Sequence, residues 1–371
     1  MEHCNKIICL NHIPEETYKL FFGDTGRMIR VDESDYPVIM NTFKKGFSDV
    51  WAWTAVDFKS DIIGWEKLDE IAKRIFLLNN GYQTVMDSGV VNIYNFLALI
   101  ATNSELKLGY QYIAQNESIH AASYSYGLSQ MFGSQAPEKI NIVYEDEFIQ
   151  GRMDDEIDYS DELFDIVIKQ GRDDDEARSI IFKAIFATYT LEHIKFPFSF
   201  YSTWNLNRVY GNAVQGFSML LKLIAQDELD FHVPMNKNVL KILKREARQG
   251  FKNVWDEEFA YGYVKKVAEA EKKWSDYLLV EGEVPGFSRG INNNFIEYFA
   301  NKTLTDLGLK EIYKAEKTDA IDWYNEYRKI NNQNAALQEV SNVSYNKGVV
   351  KNDILTNLDE LRKCAKETHV Q

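Results

Sequence analysis

The sequence predicts an all-α protein in which long helices pack side by side as a bundle. Only six prolines and 20 glycines occur in 371 residues, so several long stretches are free of helix breakers. Apolar residues within these stretches recur near helical spacing, and the short β-branched runs that would predict strands are nearly absent. Helices of this length usually pack as a bundle.

Six segments carry this pattern, and in chain order they are residues 65–81, 106–132, 174–206, 209–247, 255–279 and 294–309. In the first, Leu68, Ile71 and Ile75 show the helical repeat. We divide the chain into an N-terminal extension (1–45), a helical domain (46–330) and a polar, flexible C-terminal tail (331–371). The tail carries one apolar stripe that predicts a segment for docking a partner: Ile354, Leu355, Leu358 and Leu361.

Composition limits the possible partners and compartment. The 42 basic and 56 acidic residues give a net charge of −14, which argues against binding to nucleic acid or to anionic lipid. The longest apolar stretch, residues 90–101, is too short to span a membrane. Cys4, Cys9 and Cys364 form no CxxC pair and are typical of reduced thiols, so we expect a cytoplasmic protein.

Two acid–histidine pairs lie within predicted helices. Glu117 and His120 are three residues apart, and Glu228 and His232 are four apart; both spacings put the two side chains on one face of a helix. Two further acids, Asp87 and Glu192, lie in apolar helical stretches, where a carboxylate is costly unless it is paired or binds a cation.

Four carboxylates and two imidazoles from four helices form a set suited to two divalent metal ions. Ferritin-like di-metal proteins hold their metals in this way, so the residues predict a ferritin-like helical bundle. The spacing of Glu228 and His232, together with Pro234, predicts a wide π-type turn or kink between residues 229 and 234. A water molecule or Asp230 is the alternative to His232 as the last ligand. The other histidines are expected at the surface or beside the ligands: His3, His12, His193 and His369.

With these ligand segments, the chain resembles a known family, the small, radical-generating subunit of class I ribonucleotide reductases. Residues 82–88, 117–124, 191–196 and 224–228 are similar to the family's four ligand segments in the same order. Residues 271–278 and 284–286 are similar to later signatures, and residues 338–345 to its radical-relay segment. The resemblance departs from the family pattern at Glu228-x-x-x-His232, where the family has Glu-x-x-His, and such drift would suit a viral or otherwise divergent member.

The resemblance implies a role for each matching residue. Tyr124, one helical turn after His120, is implied to carry the radical, within a dry pocket formed by Phe196, Phe200 and Ile224. The relay to the partner is implied to use Trp51, Asp227, Tyr345 and Glu339, whereas Trp53 lies outside the matching position.

The resemblance further implies two iron ions per chain, with manganese open because both metals accept this ligand set. It implies a homodimer that acts with a ribonucleotide reductase large subunit, where the substrate would bind. Two other classes remain open at this point: another ferritin-like di-metal oxidase, of the ligand-binding oxidase or desaturase type, and a metal storage protein.

Overall fold

The computed structural model describes residues 19–21, 29, 34–168 and 175–329. Within them the secondary structure is helical, apart from isolated β-bridges such as the one between Phe21 and Ala101. The α-helices, in chain order, are α1 (Pro37–Phe47), α2 (Lys59–Gly64), α3 (Glu70–Ile100), α4 (Ser104–Phe132), α5 (Ala136–Glu145), α6 (Glu147–Gly151), α7 (Asp154–Ile168), α8 (Asp175–Thr190), α9 (Phe196–Val209), α10 (Gln215–Asp227), α11 (Val233–Arg248), α12 (Glu257–Leu278), α13 (Arg289–Asp306) and α14 (Asp319–Tyr327).

The two longest helices form the centre of the bundle. Helix α3 begins at an Asp69 cap, whose carboxylate accepts from the backbone N–H of Ala72 at 2.8 Å, and α4 begins at the corresponding Asn103 cap on Leu106. They pack along each other, α9 and α10 pack against them, and α11 packs against α8. The predicted bundle is therefore confirmed. The limits of the terminal extension and tail stay a prediction.

One predicted helix begins later than expected. The helical segment predicted at 209–247 starts at Gln215, because the chain turns between α9 and α10. Gly211 and Asn212 both adopt a positive φ there, at 62° and 61°, in a region that glycine and asparagine tolerate best. This adjacent pair is a turn signal in the sequence, and it separates the helix carrying the third ligand segment from the one carrying the fourth.

Two π-helical turns interrupt the long helices. The second π turn, Glu228–His232, joins α10 to α11 and confirms the predicted irregularity, beginning one residue earlier than expected. The first π turn, Leu191–Lys195, joins α8 to α9 and was not predicted. Each is followed two residues later by a proline, Pro197 or Pro234, which has no N–H for the carbonyl four residues earlier. Pro197 was the sequence signal for the first π turn.

Candidate metal centre

The six predicted ligands meet at one point inside the bundle. Asp87 comes from α3, Glu117 and His120 from α4, Glu192 from the first π turn, and Glu228 and His232 from the second. All six side chains are fully buried. We call this set the metal centre, and its members fall into two groups of four that share two residues: Asp87, Glu117, His120 and Glu228 in one, and Glu117, Glu192, Glu228 and His232 in the other.

The two shared carboxylates lie between the two histidines. Glu117 places Oε2 at 3.3 Å from His120 Nδ1 and Oε1 at 3.3 Å from His232 Nδ1. Glu228 does the same, with 3.2 Å to His120 and 3.5 Å to His232. Each of these carboxylates therefore presents one oxygen to each half of the centre, which is the arrangement that can bridge two metal ions.

These separations fit shared metal coordination better than hydrogen bonding. Two atoms bonded to one ion at about 2.1 Å lie roughly 3.0 Å apart at a right angle and about 3.4 Å apart at the tetrahedral angle. Moreover, both oxygens of Asp87, Glu117 and Glu228 are buried without a hydrogen-bond partner, as are both ring nitrogens of His232. Buried polar atoms normally have partners, so the donor set fits a pair of divalent ions.

Burial and mutual repulsion set the electrostatics of the centre. Burial raises the pKa of Asp87 well above its usual range, and the charge of Glu117 adds to this. Burial also raises the pKa of Glu192 to about 8, although His232 pulls in the opposite direction. Burial also disfavours the charged form of Glu117, but His120 and His232 outweigh it and lower the pKa of that carboxyl to about 2. A bound cation would compensate the negative charge that burial makes costly for Asp87 and Glu192.

A hydrogen-bonded chain runs from the centre to a half-buried tryptophan. His120 turns Nδ1 to the metal centre and Nε2 to Asp227, whose Oδ2 lies 3.1 Å away. The Trp51 indole N–H donates to the same oxygen at 2.7 Å, and its ring stacks on His120 at 5.8 Å between centroids. Trp53, by contrast, is 46% exposed and packs edge-on against Tyr126. Trp51, Asp227 and His120 are therefore brought together.

Tyr124 lies on the inner face of α4 and is 1% exposed. Burial, followed by the charges of Asp87, Glu228 and Glu117, raises the pKa of its phenol well above the usual range. Phe196, Phe200 and Ile224 are buried in the same core, with Phe196 and Phe200 at 5.9 Å between ring centroids. Their arrangement around Tyr124 stays a prediction.

The side chains of His193 and Asp230 face away from the metal centre. His193 is buried, but its Nδ1 lies 2.8 Å from the Thr303 hydroxyl and its Nε2 faces Asp306, so it belongs to the α13 side. Asp230, the alternative to His232, faces Arg328 at 3.3 Å. Tyr345, Glu339, the apolar stripe of the tail, His3, His12 and His369 lie outside the described residues.

Sequence reasoning missed one contact of the centre. The Tyr94 hydroxyl donates a short hydrogen bond to Glu192 Oε1. Tyr94 follows Asp87 by seven residues on α3, two turns further along the same face, and this spacing was the available signal.

Comparisons with known proteins agree with the geometry. The family model "Ribonucleotide reductase, small chain" matches residues 29–321. The ribonucleoside-diphosphate reductase subunit beta of Buchnera aphidicola subsp. Baizongia pistaciae is 26% identical over 354 residues, covering 90% of this chain and 93% of that protein. The subunit beta of Enterobacteria phage T4 is 24% identical, over 90% of this chain and 93% of that protein.

Solved structures show the same fold. The ribonucleotide reductase R2 subunit from Clostridium botulinum superposes with a TM-score of 0.72 at 22% identity, covering 85% of this chain and 95% of that one. The dimanganese(II)-NrdF of Streptococcus sanguinis gives 0.62 at 18% identity, covering 82% and 99%.

A bundle whose helices direct four carboxylates and two imidazoles to one buried point defines a ferritin-like protein of the di-metal carboxylate class. Within that class, the match over residues 29–321 identifies the family: this chain belongs to the small chains of ribonucleotide reductase. No α-helix within the described part of the chain is both long and apolar enough to cross a membrane.

Proposed function

We propose that this chain generates and holds a tyrosyl radical, which a separate large subunit uses to reduce ribonucleoside diphosphates to deoxyribonucleotides. Family membership supports this proposal, as do the names of relatives that match over 90% of the chain. The substrate would bind to the large subunit, and the role of this chain is to supply the oxidising equivalent.

The proposed cofactor is two iron ions per chain. Asp87 and His120 would hold one ion, Glu192 and His232 the other, and Glu117 and Glu228 would contact both. Manganese is the other candidate, because carboxylate and imidazole ligands suit both metals and the Streptococcus sanguinis protein of this fold is a dimanganese(II) form. When bound, the metal pair would supply the oxidising power by reacting with dioxygen.

Tyr124 is the proposed site of the radical. Its phenol stays protonated at neutral pH because burial and nearby carboxylates raise its pKa, so loss of an electron must be accompanied by loss of the phenol proton. Asp87 is the carboxylate with the largest electrostatic effect on Tyr124 and is the proposed acceptor of that proton. Complete burial keeps water away from the oxidised ring.

The observation that carries the proposal is the chain from Trp51 through Asp227 to His120. The shared carboxylate oxygen of Asp227 accepts from the indole N–H and from His120, so the tryptophan is joined to a metal ligand by two hydrogen bonds. This link lets an electron and a proton move together between the centre and the outer part of the protein. A storage protein has no use for such a link, and another di-metal oxidase does not need it.

The remaining steps rest on the resemblance. Tyr345 would pass the oxidation to the large subunit, with Glu339 assisting the proton transfer, and the stripe at residues 354–361 would dock the tail on that subunit. The proposed assembly is a cytoplasmic homodimer in complex with the large subunit. Light scattering of the purified chain at about twice its 43.1 kDa mass would support the dimer.

Electron paramagnetic resonance tests the proposal. The protein is loaded with iron(II) without oxygen, exposed to dioxygen and frozen. We expect a tyrosyl signal from the native chain and none from Tyr124→Phe, although the two proteins should bind the same amount of iron. Tyr189→Phe is the matched control, because Tyr189 is equally buried but stacks on His193, away from the centre. A native protein with two irons and no tyrosyl signal would contradict the radical function and favour another oxidase.

A further inference from the structure

Glu192 is the one ligand carboxylate that a hydroxyl group holds. Tyr94, which is fully buried, donates to its Oε1, whereas Oε2 has no hydrogen-bond partner. The other three carboxylates of the metal centre, those of Asp87, Glu117 and Glu228, have no hydrogen-bond partner at either oxygen. The two oxygens of Glu192 are therefore unequal before any metal binds.

A second residue fixes the direction of the Tyr94 proton. Asn236, one turn after His232 on α11, donates its amide N–H to the Tyr94 oxygen at 2.8 Å, and its amide nitrogen lies 3.4 Å from the Thr188 hydroxyl. Because the phenol oxygen accepts from Asn236, its single proton is left for Glu192. The network thus connects α3, α8 and α11, three of the helices that adjoin the ligands.

We infer that Tyr94 is a positioning residue for the second metal ion: its hydroxyl holds Glu192 by Oε1, the oxygen that lies 3.6 Å from His232 Nδ1, and so fixes the orientation in which this carboxylate meets the ion. This inference rests on the proposed two-metal centre. Without the phenol hydroxyl, Glu192 could rotate or offer both oxygens to the metal, which would change the coordination number of that ion. Partners of metal ligands act in this way, and losing one typically costs about 10–100-fold in metal affinity.

The chain offers a matched control in Tyr110. Its ring is as deeply buried as that of Tyr94 and lies 5.6 Å from it, but its hydroxyl has no hydrogen-bond partner. Replacing Tyr110 by Phe therefore removes the same atom from the same part of the core without touching Glu192. Any effect of general packing should appear in both Tyr→Phe variants, and an effect of positioning only in Tyr94→Phe.

The test is a titration of the metal-free protein with cobalt(II), followed by its visible absorption bands, whose position and intensity report the coordination number. We expect two equivalents bound to the native protein and to Tyr110→Phe with the same spectrum. Tyr94→Phe should bind one of the two ions about tenfold more weakly or worse, with altered bands for that ion. Asn236→Ala, which keeps the tyrosine, should shift the same bands by a smaller amount and also serves if Tyr94→Phe does not fold.

The outcomes separate the two claims. A native spectrum and affinity in both Tyr94→Phe and Asn236→Ala would overturn the positioning role while leaving the metal centre intact. Equal weakening in Tyr94→Phe and Tyr110→Phe would overturn it as well, since the effect would come from packing. Failure of the native protein to bind cobalt would instead refute the proposed metal centre on which the inference rests.

Discussion

The metal centre and a second cluster of buried charge share the first π turn, and they differ in how their charges are matched. The second cluster, which we call the paired cluster, consists of Arg152, Glu156, Lys195 and Glu271, all at most 8% exposed. Arg152 contacts Glu271 at 2.6 Å and Lys195 contacts Glu156 at 2.7 Å, so two cations face two anions. In the metal centre, four carboxylates face only two imidazoles.

The balance of charge distinguishes the paired cluster, which is structural, from the metal centre, which can bind cations. The Arg152 guanidinium also contacts the rings of Tyr82 and Trp274, at 3.9 and 4.4 Å from their centroids, so its charge is compensated by the protein itself. The carboxylates of the metal centre lack such partners. Burial alone therefore does not identify a metal site. An excess of buried negative charge without enough cationic partners does.

The largest expected effect is on metal content. Glu117→Ala should reduce bound iron from about two ions per chain to nearly none, because Glu117 belongs to both groups of ligands. Elemental analysis after anaerobic iron loading measures this. His193→Ala, next to Glu192 but turned to Thr303, should keep its iron. Equal loss in His193→Ala would show that the ligand assignment is wrong.

When one charge is removed from the metal-free protein, the free energy of unfolding should fall for the paired cluster and rise for the metal centre. Arg152→Met leaves Glu271 buried and unpaired, so we expect a loss of about 3–5 kcal/mol in the free energy of unfolding. Asp87→Asn removes one of several repelling carboxylates and should raise that free energy by about 1 kcal/mol or more. Urea unfolding with a chelator present compares them. A loss of stability in both variants would contradict the distinction between the clusters.

A buried carboxylate outside both clusters provides the smallest test. Burial raises the pKa of Glu246 on α11 from 4.5 to about 7, so the folded state binds its proton more tightly than the unfolded state. The stability contributed by this group is complete below pH 4.5 and is lost as the pH rises through about 7. The Glu246→Gln variant has no carboxyl group to titrate at this position, so it does not lose this stability as the pH rises. Between pH 5 and 8, native stability should fall relative to the variant by roughly 1–3 kcal/mol.

Thermal or urea unfolding of the native protein and Glu246→Gln at several pH values measures that difference. A gap between the two proteins that does not change with pH would show that Glu246 titrates normally.

The sequence supported the bundle and the ligand set because both depend on spacing along single helices. The pairs Glu117/His120 and Glu228/His232 share a face whatever the tertiary packing. The contact between Tyr94 and Glu192 joins residues 98 positions apart. The spacing of Asp87 and Tyr94 places both on one face of α3, but it cannot identify Glu192 as the partner of Tyr94. The first π turn was missed because Glu192 has no ligand partner on its own helix whose spacing would look irregular.

The partners in the paired cluster were likewise beyond sequence reasoning. Arg152 and Glu271 are 119 positions apart, and each lies in a strongly charged stretch that reads as solvent-exposed helix. They become a buried pair only in the folded chain, where the Arg152 guanidinium lies 2.6 Å from the Glu271 carboxylate.

The most direct test of the metal centre is anomalous diffraction at the iron edge from crystals of the iron-loaded protein. Two peaks are expected, each with ligand bonds of about 2.0–2.2 Å. One should be bonded by Asp87, Glu117, His120 and Glu228, and the other by Glu117, Glu192, Glu228 and His232. A single peak, no peak among these residues, or a His232 nitrogen beyond bonding reach, with water or Asp230 in its place, would contradict the account.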